Sequence, residues 1–177
     1  EFRDVFAWSY EDMQGLDPHL YEHQIHLSKD AKSVVHRCYW MNPNYAVKIK
    51  EEIIKLLRVG FIRLVKQETW LNPIVVVPKK YGKIRASVDY WKLNAATVMD
   101  AFPLSFTDGV LNAVAGHELY IFLDGFSGYN QIRMPPADQE KTTFVIEWGV
   151  FVAVIMMFGL KTTPTTFQRI IMEIFGE

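Results

Sequence analysis

The stretch Leu119-Tyr120-Ile121-Phe122-Leu123-Asp124-Gly125-Phe126-Ser127-Gly128-Tyr129 decides how this chain is read. Its first five residues are apolar, aromatic or β-branched and predict a strand buried on both faces. That strand ends on Asp124. A carboxylate there sits at the strand's mouth, within reach of solvent or a metal. Gly125 and Gly128 let backbone N–H groups approach a ligand closely. Magnesium prefers hard oxygen ligands and usually takes one or two carboxylates together with substrate phosphates. Asp124 is therefore a candidate metal ligand. The alternative is that it caps the helical turn that follows.

Upstream, Asn42 and Pro43 carry the marks of a helix start, as N-cap and first helical residue. Ala46, Ile49, Ile53, Leu56 and Leu57 share one helical face, Glu51 and Lys55 form an i,i+4 pair, and Gly60 suits the stop. A hairpin follows. Ile74–Val77 is the outgoing strand, held between Pro73 and Pro78. On the return strand Ile84, Ala86, Val88 and Tyr90 alternate with Arg85, Ser87 and Asp89. The tip presents Lys79, Lys80, Lys83 and Arg85 together; an Arg85–Asp89 pair along the strand is the plainer use of that arginine. A helix is predicted over Ser105–Ala115, ending at Gly116. Downstream, Thr142–Glu147 and Val150–Met156 read as a second hairpin turning at Trp148-Gly149. Thr163 and Pro164 open a last helix with Phe167, Ile170, Ile171 and Ile174 on one face.

The 177 residues are half apolar, with 12 Phe, 8 Tyr and 5 Trp, enough for a sizeable core and against disorder. One cysteine excludes an intrachain disulfide and fits a reducing compartment. No apolar run approaches the length of a membrane span, and the charged start is not a signal peptide. The chain opens without Met and stops inside a helical pattern, so a piece of a longer protein is expected. The net charge of −1 hides an uneven distribution. Residues 31–92 carry 13 basic and 4 acidic side chains, while the segments on either side each sum to −5. A phosphate backbone would be drawn to such a block; a solvated charged helix and a loop give the same pattern.

One competing motif is His19-Leu20-Tyr21-Glu22-His23, with His26 three residues on. It matches an inverted zinc-peptidase pattern. Zinc would need these ligands on one helical face, but Asp17-Pro18 precedes them and the polar–apolar alternation from His23 looks extended. A chance match is the expectation. Cys38 is expected to be a structural thiol rather than a nucleophile.

Taken in order, the motifs carry a resemblance. Val77-Pro78-Lys79-Lys80-Tyr81-Gly82-Lys83-Ile84-Arg85, Val88-Asp89-Tyr90 with Leu93-Asn94, and Asp100-Ala101-Phe102-Pro103-Leu104 look like the fingers of reverse transcriptases. Leu123 to Ile132 resembles their first catalytic-aspartate motif. Glu140-Lys141-Thr142-Thr143-Phe144 and Phe158-Gly159-Leu160-Lys161, with Pro164 and Phe167-Gln168, continue it. The order is similar to the polymerase of gypsy-type LTR retrotransposons of the plant kind. The fold implied is α+β: reverse-transcriptase fingers plus a partial palm, an antiparallel sheet packed with helices. Its implied parts are a loop-rich lead-in over 1–33, fingers with the basic hairpin over 34–101, and partial palm over 102–177.

The resemblance also implies roles. Asp124 would be the first carboxylate of a two-magnesium nucleotidyl-transfer site. Backbone N–H groups from Phe126 through Ser127 and Gly128 to Tyr129 would meet the incoming triphosphate. Tyr129 would lie under the sugar and exclude a 2′-hydroxyl. Lys79 or Lys80, with Arg85, would clamp phosphates; Phe158 and Gly159 would pack near nucleotide and template. The implied partners are an RNA or DNA template-primer, deoxynucleoside triphosphates and the rest of a polymerase/RNase H polyprotein, with no membrane. The implied location is the cytoplasm, virus-like particles included, or the nucleus. The departures are informative. No Tyr-x-Asp-Asp sequence occurs, and a lone carboxylate cannot hold two metals in line, so the chain alone is expected to be inactive. Trp91 stands where the family has Arg, Met157 where it has Pro, and Val152, Ala153 and Val154 are unusually apolar. A non-catalytic nucleic-acid-binding or interaction module, degenerate or domesticated, is the alternative.

Overall fold

A computed structural model of the chain describes residues 6–37, 41–66, 70–78, 84–121 and 124–176. Helix α1 (Pro43–Arg58) begins where its punctuation places it: the Asn42 side-chain oxygen accepts from the Asn44 N–H at 3.0 Å, with Pro43 at the first position. Ile49 and Ile53 are buried, and Gly60 leaves the helix at φ +75°. Lys55 places its ammonium 4.5 Å over the Tyr10 ring.

Five strands form one mixed sheet in the order β1-β5-β4-β2-β3. They are β1 (Ile62–Val65), β2 (Asn72–Pro78), β3 (Ile84–Val88), β4 (Phe144–Ile146) and β5 (Gly149–Ala153). The β2–β3 hairpin pairs Ile74 with Val88 and Val77 with Arg85. The alternation holds on its inner face, where Val88 and Tyr90 are buried and Ala86 packs against the core. β4 and β5 pair antiparallel, bringing Phe144 opposite Phe151 with ring centroids 5.7 Å apart. The architecture is α+β, but the sheet is not purely antiparallel. β2 meets β4 in parallel at Asn72 and Pro73.

A buried polar knot explains that junction. Asn72 is almost fully enclosed, so its amide must find acceptors inside. It donates from Nδ2 to the Thr143 carbonyl at 2.8 Å and the Lys141 carbonyl at 3.3 Å, while its backbone N–H reaches the Thr143 carbonyl at 2.9 Å. The Tyr90 hydroxyl donates to the Thr142 carbonyl, and Thr142 Oγ1 accepts from the Ala153 N–H at 3.1 Å. Lys141 bonds the Asp138 carboxylate and donates to the Ile25 carbonyl. The Glu140–Phe144 segment thus ties β2, β3, β5 and the lead-in together. Val152 and Ala153 are fully buried on consecutive positions of β5, so both faces of that strand are covered and an apolar pair belongs there.

Among the described residues the remaining α-helices are α2 (Trp91–Ala96), α3 (Thr107–Val114), α4 (Pro136–Gln139) and α5 (Thr163–Phe175). α2 is absent from the periodicity reading; the Asp89 side chain starts it by accepting the Trp91 N–H, and Leu93 is its one buried residue. α5 buries Ile170 and leaves Ile174 half exposed. The expected buried strand over 119–123 is corrected over 119–121, and residues 122 and 123 lie outside the described residues. Leu119, Tyr120 and Ile121 belong to no strand, and Leu119 and Ile121 are about four-fifths exposed. An apolar run becomes a buried strand only when neighbours pair with its backbone and layers cover its faces, and residues 119–121 enter none of the strand pairings among the described residues, although the Tyr120 hydroxyl donates to the Val114 carbonyl at 2.7 Å.

His23 is fully buried among α5 hydroxyls. Nδ1 lies 3.0 Å from Thr166 Oγ1, and Nε2 lies 3.5 Å from Thr162 Oγ1. It is a structural histidine. Burial pushes its pKa down to about 4, against the opposing pull of Asp138 and Asp100 and with a further lowering from His26. The unfolded chain therefore binds the His23 proton first on acidification. This contribution to stability is complete above about pH 6.5 and falls away towards pH 4. Urea unfolding should show a loss of roughly 2–3 kcal/mol across that window, which His23→Gln should flatten. A second urea series checks the core. Phe144→Ala should cost about 3–5 kcal/mol and Leu111→Ala, on the exposed face of α3, about 0.5 or less; equal losses would contradict the packing described.

Candidate functional site

The turn after Asp124 is built from a tight sequence of backbone bonds. Gly128 N–H donates to the Gly125 carbonyl at 3.0 Å, and Asn130 N–H to the Ser127 carbonyl at 2.8 Å. Ser127 sits in the left-handed region at φ 50°, a conformation that costs a non-glycine residue energy and persists where the surroundings impose it. Two side-chain bonds impose it here. Asn130 Nδ2 donates to Ser127 Oγ at 2.8 Å, and Gln131 Nε2 donates to the Phe126 carbonyl at 3.0 Å. A 3₁₀ turn over Gly128–Gln131 follows.

Helix α5 backs this turn through Phe167. A Cβ on Gly128 would stand 2.8 Å from Phe167 Cζ, closer than carbon atoms tolerate. The Phe167 ring is itself held edge-on to Tyr129 at 5.1 Å, and Phe158 covers Tyr129 from another side at 4.7 Å. Next to Phe158, Gly159 takes φ +93°. There it lies close to the base of the basic hairpin, its Cβ position 3.6 Å from both Tyr90 Cδ2 and the Val88 carbonyl. Asn94 of α2 fixes the loop by donating to the Gly159 carbonyl at 2.7 Å and accepting the Lys161 N–H at 2.8 Å. A continuous line of contacts therefore runs from β3 through Gly159 and Phe158 to Tyr129 and the turn.

Phe126, Ser127, Gly128, Tyr129, Phe158 and Gly159 lie along this line. Asp124 begins the turn with its carboxylate exposed to solvent. Lys79 and Lys80 lie outside the described residues. Arg85 stands opposite Val77 in the β2–β3 register, and its side chain also lies outside what is described. The Gly128 N–H is already committed to Gly125, which removes it from the amides free to meet an anion. The Tyr129 N–H donates to no described residue.

Asp124 suits magnesium as one hard, accessible oxygen ligand. Among the described residues, however, no group of three His, Cys, Asp or Glu side chains could hold a metal. The described residues fit one ligand of such a site and not a two-metal clamp. His19, Glu22 and His23 form no zinc cluster, since His23 is enclosed between Thr162 and Thr166.

A separate cavity of about 370 Å³ opens on another face of α5, lined by Tyr21, Glu22, His26, Asp100, Thr166 and Arg169 among others. Arg169 Nη2 reaches both Asp100 carboxylate oxygens at 2.7 Å and lies over the Phe102 ring at 4.8 Å. Burial works to raise the Asp100 pKa, but the Phe102 N–H and the Arg169 guanidinium more than offset it, and the net shift is downward. Neither this pair nor the lead-in contacts were evident in the sequence, because they join residues far apart in the chain.

The close approach at Gly128 generates a test. Gly128→Ala should destabilise the chain by about 1–3 kcal/mol through overpacking. Phe167→Leu in the same chain should recover part of the loss, measured by urea unfolding of the four members of the cycle. Additive losses would contradict the contact.

Comparison with known proteins agrees with this architecture. The family model for reverse transcriptase (RNA-dependent DNA polymerase) matches residues 77–177. The chain is 31% identical over 179 aligned positions to the transposon Tf2-3 polyprotein of Schizosaccharomyces pombe, and 30% identical to the Tf2-7 polyprotein of the same organism. Each alignment covers the whole chain but only 13% of the relative. Among solved structures, a selenomethionine-labelled mutant of prototype foamy virus protease-reverse transcriptase superposes with a TM-score of 0.74. It shares 20% identity, over 88% of this chain and 22% of that one. A foamy viral protease-reverse transcriptase in complex with an RNA/DNA hybrid gives 0.70 at 18% identity, over 93% of this chain and 23% of that one. At that identity the likeness is one of fold. With the family model covering more than half of its length, this chain belongs to the reverse transcriptase (RNA-dependent DNA polymerase) family.

Proposed function

We propose that the chain is the fingers and N-terminal palm portion of the polymerase of a gypsy-type LTR retrotransposon, and that its parent copies RNA into DNA. The division into a lead-in (1–33), fingers (34–101) and partial palm (102–177) belongs to this reading. So does a plant source, which rests on motif order alone; the relatives named above come from Schizosaccharomyces pombe. The observation that carries the proposal is the line of contacts from Val88 and Tyr90 through Gly159 and Phe158 to Tyr129, because it links the base of the basic hairpin to the turn of Asp124.

In this account Lys79, Lys80 and Arg85 attract the phosphates of an incoming deoxynucleoside triphosphate and, as part of the basic block, those of a template-primer. The turn after Asp124 offers the Tyr129 N–H to the triphosphate. Tyr129, wedged between Phe158 and Phe167, presents a rigid ring on which a deoxyribose rests and against which a 2′-hydroxyl would clash. Asp124 would hold one magnesium ion as a single carboxylate ligand. Bound magnesium supplies stabilisation of the attacking and leaving oxygens in phosphoryl transfer. The aspartate pair of the Tyr-x-Asp-Asp motif has no counterpart in these 177 residues. The partners are a template-primer, of RNA or DNA, and the remainder of the polyprotein. The location is the cytoplasm, with virus-like particles included, or the nucleus.

The chain by itself should bind template-primer weakly, in a salt-sensitive way, and should incorporate no deoxynucleotide in a magnesium-dependent primer-extension assay. Replacing Lys79, Lys80 and Arg85 together by Ala should weaken binding and lower the slope of log K against log salt by about 2–3, one phosphate contact per lost charge. An unchanged slope would contradict the role given to the hairpin tip, and incorporation by the wild-type chain would contradict the need for further carboxylates.

A further inference from the structure

We infer that Tyr10, in the lead-in ahead of the residues the family model matches, is a positioning residue for the Asp124 turn. The inference rests on the reading of that turn as a triphosphate site. Tyr10 touches three elements at once. Its ring lies 5.2 Å from Phe61, between α1 and β1, with the planes tilted by 59°. The Lys55 ammonium near the end of α1 sits 4.5 Å from the ring centroid. The third neighbour is Phe126, two residues after Asp124, at 5.9 Å and 52°. Two contacts anchor the tyrosine to the α1–β1 corner, and the third carries that anchor to the turn.

Phe126 is well placed to transmit it. Its carbonyl accepts from Gln131 Nε2, the bond that closes the turn. A shift of Phe126 therefore moves the carbonyl that the far end of the turn is tied to. The lead-in grips that far end as well. The Leu16 N–H donates to the Gln131 carbonyl at 2.7 Å. Gly15, at φ +74°, comes so near that its Cβ position is 3.4 Å from the same oxygen. Leu16 and Tyr21 then pack against the buried cluster of Ile132, Met156 and Ile170, on which Tyr129 and Phe167 also rest. The lead-in holds both ends of the segment Phe126–Gln131, and Tyr10 is the aromatic clamp at the Asp124 end. Aromatic pairs and cation–π contacts act on geometry as well as area, since each prefers a limited range of ring orientations.

Amide hydrogen exchange on the 177-residue chain tests the assignment, comparing wild type, Tyr10→Ala and Tyr10→Phe. Three hydrogen-bonded amides report on the turn: Gly128, Asn130 and Ile132. Tyr10→Ala should speed their exchange by about tenfold, while the amides of β4 and β5 change by about twofold or less. Tyr10→Phe, which keeps the ring, should exchange like wild type. Unchanged turn amides in Tyr10→Ala, or a rise no larger than that in β4 and β5, would overturn the positioning role. Binding of magnesium–deoxythymidine triphosphate to the wild-type chain is measured alongside. Its absence would count against the triphosphate reading, while the exchange pattern still decides for or against Tyr10.

Discussion

The site depends on one close approach, that of Gly128 to the ring of Phe167. With no side chain at 128, helix α5 can press its aromatic face against the turn after Asp124. Phe167 then meets Tyr129, and Tyr129 meets Phe158. Each ring limits the freedom of the next, so the turn takes its shape from the helix behind it as well as from its own hydrogen bonds. The strained backbone at Ser127 persists in that setting because Asn130 and Gln131 tie it down on the inside.

The scaffold behind this contact is held by polar groups as much as by apolar ones. Asn72, Thr142, Thr143 and Tyr90 are buried and satisfied, and they join a hairpin early in the chain to one late in it. A partly satisfied network would cost more than an apolar core, so these residues constrain one another. Lys141 extends the network to Ile25, and His23 N–H reaches the Arg133 carbonyl at 2.8 Å. The lead-in, which lacks regular structure over most of its length, is thereby fastened to the centre of the molecule. It behaves as part of the scaffold rather than as a tail.

Much of this was legible from local pattern. α1, the β2–β3 hairpin, the β4–β5 hairpin and α5 follow from apolar periodicity with Pro, Asn and Gly at the ends, because their signals lie within a few residues of one another. What depends on distant partners was not legible. The run Leu119–Ile121 has the composition of a buried strand but enters none of the strand pairings among the described residues, and composition says nothing about pairing. The parallel meeting of β2 and β4 depends on Asn72 finding the carbonyls of Lys141 and Thr143, roughly seventy residues away. Tyr10 gives no local signal at all, and His23 stands out locally only through a zinc-like pattern that does not reveal its contacts with Thr162 and Thr166. The residues around Asp124 were nominated by a motif whose order is informative. Their spatial grouping with Phe158 and Gly159 comes from the fold, and the tip carrying Lys79 and Lys80 lies outside the described residues.

The central claim is that the basic hairpin tip and Asp124 face one pocket. The most direct measurement is the distance between spin labels at Lys80→Cys and Asp124→Cys, in a chain with Cys38→Ser, by pulsed electron paramagnetic resonance. The account predicts one narrow distribution centred at ~20 Å or below. A distribution centred near ~40 Å, about the full diameter of a domain this size, would put the two groups on opposite sides and contradict it.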